Sequence, residues 1–124
     1  MEHGYFLFDI EVELIWGFID YDVSRLSRLK RRIPLVRKVV PKLLDIIEKT
    51  QQSVTWGILG HACLDRCSCV DGIPHPDMPR ASYSWLNRDW YALDPCSNLE
   101  REPAFYGKDI VCLLYTSPSP RDRG

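Results

Sequence analysis

The order of three segments constrains this chain more than any other feature. Tyr5 to Gly17 opens as an apolar, β-prone run. Val40, Leu43, Leu44 and Ile47 then repeat at the i, i+3, i+4, i+7 spacing of an amphipathic helix. Ser53 to Gly60 follows as a mostly apolar stretch bounded by glycine. Strand, helix and strand in that order make a βαβ unit and predict a parallel pair, residues 5–13 beside 53–60, with a helix over about 41–51 packed across them. Pro41 suits a first helical turn, where a missing N–H is no loss, and Pro34 predicts a break before it. The fold class expected is therefore α/β.

The first strand carries Asp9, Glu11 and Glu13 two positions apart, so an extended run puts all three on one face. Adjacent carboxylates repel and lose hydration unless a cation, a proton or a solvent-filled site compensates. The alternative is a strand with one wet face, whose acids simply point at water.

The 124 residues carry a net charge of −1, with 45% hydrophobic and 27% charged residues, enough for one domain with a modest core. That balance argues against nucleic acid or a membrane surface as the main partner. Arg25 to Lys38 is strongly basic but lacks interleaved aromatics, and reads as a solvated face. No apolar stretch approaches the ~20 residues of a membrane span. The N-terminus has no basic n-region followed by an apolar h-region, so no signal peptide is expected and the cytoplasm is the default location.

Five cysteines, three of them in Cys63-x-x-x-Cys67-x-Cys69, do not read as a disulfide framework. With His61 they can be drawn as a soft-metal site, but no second ligand pair follows, and reduced, partly buried thiols are expected. Between Cys67 and Pro103 the periodicity fails. Prolines break it, while Tyr83, Trp85, Trp90 and Tyr91 supply aromatic surface. A long loop of this kind tends to be functional. Trp85 and Trp90, with Trp16 beside the acids, are candidate substrate-stacking residues for a sugar ring; equally, the rings could pin the loop to the core.

With these pieces in place the chain resembles the polysaccharide deacetylase (NodB homology) family. Phe8-Asp9-Ile10-Glu11 looks like a divergent form of its first motif. Pro41 to Glu48 and Val54 to Gly60 look like the helix and second strand that follow, and the loop containing His75-Pro-Asp, Tyr83-Ser-Trp85 and Asp94-Pro-Cys96 resembles an insertion in a divergent branch. The resemblance implies an incomplete (β/α) barrel with its site at the carboxyl ends of the strands, Asp9 among them. It implies hydrolysis of amide C–N bonds in N-acetylated carbohydrates, with a non-catalytic carbohydrate- or protein-binding module as the alternative. Asp9 would be the general base. Glu11 would ligate a divalent metal such as zinc, since Ile10 holds the usual ligand position; a register set on Trp16-Gly17 would pair Glu11 with Glu13 instead. The family's His-x-x-x-His is absent: His61 and His75 are too far apart, and His3 precedes the strand. Residues 1–112 are thus expected to be the N-terminal part of a deacetylase-like domain, inactive by itself. Leu113 to Gly124, which looks like translated adapter sequence, is expected to be irregular.

Overall fold

The computed structural model describes residues 4–85 and 88–117. Strand β1 (Asp9–Val12) pairs in parallel with β2 (Thr55–Ile58), Asp9 opposite Thr55 and Val12 opposite Ile58. Two helices lie between them in the chain, α1 (Val23–Arg32) and α2 (Val36–Thr50), so the expected strand–helix–strand order and parallel pairing hold. A hairpin, β3 (Cys69–Val70) with β4 (Ile73–Pro74), forms a second small sheet, and α3 (Lys108–Thr116) follows the long loop. The described residues contain two two-stranded sheets and no closed barrel.

The core gathers Val12, Leu14, Ile15 and Trp16 with Leu26 of α1, Val40 of α2, Ala62, the segment Ala104 to Tyr106, and Ile110 of α3. Backbone bonds fix the chain segments around it. Ile15 N–H donates to Ala104 O at 3.1 Å, and the Trp16 indole N–H donates to Phe105 O at 2.9 Å. Val36 and Leu44 pack against this cluster on either side of Val40, the spacing that put one face of α2 inward.

Several expectations give way. The first strand spans four residues rather than nine. Tyr5, Phe6 and Leu7 are at least 85% exposed, because β2 supplies partners only from Thr55 onward, where its N–H meets Phe8 O. The second strand is half-buried and shorter than 53–60, with a single strand beside it. Pro41 sits inside α2 rather than in its first turn. The helix already starts at Val36, entered from the 3₁₀ turn Ile33–Leu35 that Pro34 helps to open. The basic run is mostly solvated, as expected, with Arg37 the exception. It donates to Pro103 O and Tyr106 O, each at 2.8 Å, and pairs with Asp109.

The cysteine expectation also fails in part. Cys69 and Cys96 form a disulfide, while Cys63 and Cys112 are free and exposed rather than partly buried. An odd count hid a single bridge among free thiols. The tail expected to be irregular from Leu113 is helical through Thr116, since Leu114 continues the apolar side of α3 onto the core. Residues 118–124 lie outside the described ones. No helix among the described residues is long and apolar enough to cross a membrane.

Candidate functional site

Of the three acids, two face water. Asp9 and Glu11 are exposed on β1, the outcome of the wet-face alternative, whereas Glu13 is half-buried just past the strand. Asp9 begins β1 and so stands at its amino end, not at the carboxyl end the resemblance implied. The strand cannot start earlier without a partner on β2. Glu11 lies across from Gly57, and no imidazole or thiol joins either acid in a group able to hold an ion among the described residues. Glu11, the metal ligand that the resemblance implies, thus belongs to no group of three or more potential ligands among the described residues.

The carboxyl ends of β1 and β2 hold the larger features. The 3₁₀ turn Leu14–Phe18 follows β1 and the 3₁₀ turn Gly60–Cys63 follows β2. Over them lies a cavity of about 710 Å³ lined by Glu13, Trp16, Asp20, Trp85, Arg88 and Trp90 among others. An adjoining cavity of about 620 Å³ shares Trp16, Ile19, Leu59 and Trp90, and reaches His61, His75 and Tyr91. The three tryptophans singled out in the sequence thus line one trough. They differ in freedom: Trp16 is 8% exposed and locked by its indole hydrogen bond, whereas Trp85 is 67% exposed and stacks on Tyr83 with ring centroids 5.4 Å apart.

The inner wall of the trough carries a cluster that sequence spacing did not reveal. His61 comes from the turn after β2, and His75 follows β4 with a left-handed φ of 47°. Their Nε2 atoms are 3.1 Å apart. The Asp94 Oδ2 atom lies 2.7 Å from His61 Nε2 and 2.9 Å from His75 Nε2, and the Cys67 sulfur lies 3.2 Å from His75 Nε2. The Asp94 side chain has no exposed surface. Its other oxygen is held by the Tyr106 O–H at 2.7 Å and the Cys96 N–H at 2.8 Å, so Oδ1 is satisfied and Oδ2 faces the imidazoles. Arg80 braces the His75 turn through the carbonyls of Pro74 and His75, and reaches over the Tyr91 ring.

The loops are tied so that these side chains meet. Residues 65–67 bridge to 97–99, with Cys67 N–H donating to Ser97 O at 3.0 Å and Leu99 N–H to Asp65 O at 2.7 Å. The Cys69–Cys96 disulfide then joins the hairpin to the Asp94 loop. Burial raises the Asp94 carboxyl, but hydrogen bonds from His61, Tyr106, Cys96 and His75 outweigh it and hold the group below the usual carboxylate range. Burial first, and the Asp94 charge second, push the Cys67 thiol up to about 11. The same causes in a buried phenol raise Tyr106 above its ordinary value.

The soft-metal set of Cys63, Cys67, Cys69 and His61 does not assemble: Cys63 is exposed and Cys69 is in the disulfide. His61 and His75, set aside for their separation, are neighbours instead. The missed member is Asp94. Its available signals were a glycine–histidine step closing a strand, where α/β sheets collect ligands, and an Asp-Pro-Cys returning toward the hairpin cysteines. Comparison adds no relative: no family model matches the chain, and neither a curated protein nor a solved structure matches it.

Proposed function

We propose that this chain binds N-acetylated carbohydrate in the tryptophan-lined trough, within a hydrolase that acts on amide C–N bonds. The observation that carries the reading is the convergence of Trp16, Trp85 and Trp90 on one cavity at the carboxyl ends of two parallel strands. Aromatic faces take the C–H faces of sugar rings, and Glu13, Asp20 and Arg88 supply polar groups at the same wall. The resemblance to polysaccharide deacetylases supports the hydrolytic part. In this reading Glu13 rather than Asp9 takes the general-base role, because of the three acids it alone lines the trough. The disulfide favours an oxidising compartment over the cytoplasm expected by default, since the reducing cytosol disfavours such bridges.

The test is a calorimetric titration with a tetramer of N-acetylglucosamine, its fully deacetylated form and a cellulose tetramer. Binding of the N-acetylated tetramer is expected, with Trp85→Ala weakening it by roughly tenfold, the scale of one lost aromatic contact. Absence of binding by the folded chain refutes the reading. Equal binding of all three sugars favours the alternative, a carbohydrate-binding module without chemistry at the acetamide.

A further inference from the structure

We propose that His61, His75, Asp94 and Cys67 form a binding site for a divalent transition metal of the zinc type. The inference goes beyond the carbohydrate reading and rests on different side chains. Two imidazole nitrogens and one carboxylate oxygen converge from three chain segments at separations of 2.7 to 3.1 Å, and the Cys67 sulfur stands beside this triad, 3.2 Å from His75 Nε2. Tetrahedral zinc with bonds of about 2.0–2.3 Å holds its ligand atoms roughly 3.3–3.6 Å apart. The two nitrogens and the oxygen thus need to open only slightly, while the Cys67 sulfur must swing inward to complete the tetrahedron. The donor set of nitrogen, oxygen and sulfur suits zinc or cobalt(II) and disfavours magnesium and calcium, which take all-oxygen shells.

The surroundings are those of a built site. Asp94 is fully buried and reaches the histidines with one oxygen only, because Tyr106 and the Cys96 N–H hold the other. Carboxylate ligands are oriented in this way by an outer layer of hydrogen bonds. Tyr106 has no exposed surface and its oxygen also accepts from Ser97 N–H at 3.0 Å, so its hydroxyl direction is fixed. Trp16 packs its ring 4.0 Å from that of His61, and Tyr91 packs 5.1 Å from His75, walling the cluster with aromatic surface. Access exists through the 620 Å³ cavity, which both histidines line. Cys96 also lies near Asp94 and Cys67, but its sulfur is occupied by Cys69.

The experiment uses the whole chain, stripped with EDTA without thiol reductant and confirmed folded by circular dichroism. Zinc(II) and cobalt(II) are then titrated, with metal content measured after gel filtration. One equivalent is expected, with tetrahedral cobalt d–d bands and a sulfur-to-cobalt charge-transfer band. Cys67→Ser should remove the charge-transfer band, while the exposed Cys63→Ser and Cys112→Ser leave it unchanged. Tyr106→Phe, which releases Asp94 Oδ1 and Ser97 N–H but removes no ligand atom, should weaken zinc by about 10- to 100-fold. His75→Ala should weaken it at least as much, and its partial exposure makes it a milder change than His61→Ala. Absence of stoichiometric binding by the folded wild-type chain overturns the proposal. So does one equivalent held equally well by His75→Ala and with an unchanged cobalt spectrum in Cys67→Ser.

Discussion

Replacing Arg37 with methionine separates two kinds of interaction that meet at one side chain. The guanidinium pairs with Asp109 at 2.7 Å and also donates to the carbonyls of Pro103 and Tyr106, each at 2.8 Å. The Asp109 pair touches solvent, with side chains 22% and 42% exposed, so screening limits it to about 0.5–1 kcal/mol. Each bond from a charged donor to a carbonyl contributes about 1.5 kcal/mol, and two make about 3. Arg37→Met keeps the apolar stem and should cost about 3–4 kcal/mol in total. Asp109→Asn removes only the ion pair and should cost less than about 1 kcal/mol. Urea unfolding followed by circular dichroism measures both. A methionine variant within about 1 kcal/mol of wild type would refute the reasoning. Equal losses in the two variants would show that the carbonyl bonds contribute nothing.

Two further outcomes are expected. The double variant Cys69→Ser/Cys96→Ser opens a loop of sequence separation 27 and should lose about 3.5 kcal/mol by the chain-entropy relation, read as a lower urea midpoint; an unchanged midpoint would mean that the bridge constrains nothing. Asp94 has a folded-state pKa below its unfolded value, so its contribution is full above the ordinary carboxylate range and is lost as pH falls through the folded value. The stability gap between wild type and Asp94→Asn should therefore shrink below about pH 4, and a gap that widens there would contradict the assignment.

The local part of the fold was legible and the assembled part was not. Val40, Leu43, Leu44 and Ile47 announced α2, and two apolar runs flanking it announced the parallel pair, because both signals sit within a few neighbouring residues. The length of β1 was not legible. Tyr5 to Phe8 have every local preference for a strand, yet a strand needs a partner, and β2 starts too late to provide one. The tryptophans were legible as a group because their ring chemistry marks them wherever they fall. The His61–His75–Asp94 cluster was not, since its members are 14 and 19 residues apart and meet only through a two-residue hairpin, a bridge at Arg66 and a disulfide. None of those long-range ties leaves a periodicity to read.

The Cys69–Cys96 bond has a consequence for how an ion would be taken up. It links the hairpin ahead of His75 to the loop bearing Asp94, so the donor atoms are already gathered when the chain is folded. The ordering entropy of those loops is then a cost of folding and not of metal capture. Uptake at such a preorganised pocket should leave the far-ultraviolet spectrum unchanged, unlike a zinc finger, whose backbone forms only around its ion. Opening the bond would return that cost to the binding step, making metal affinity sensitive to the thiol–disulfide balance of the surroundings.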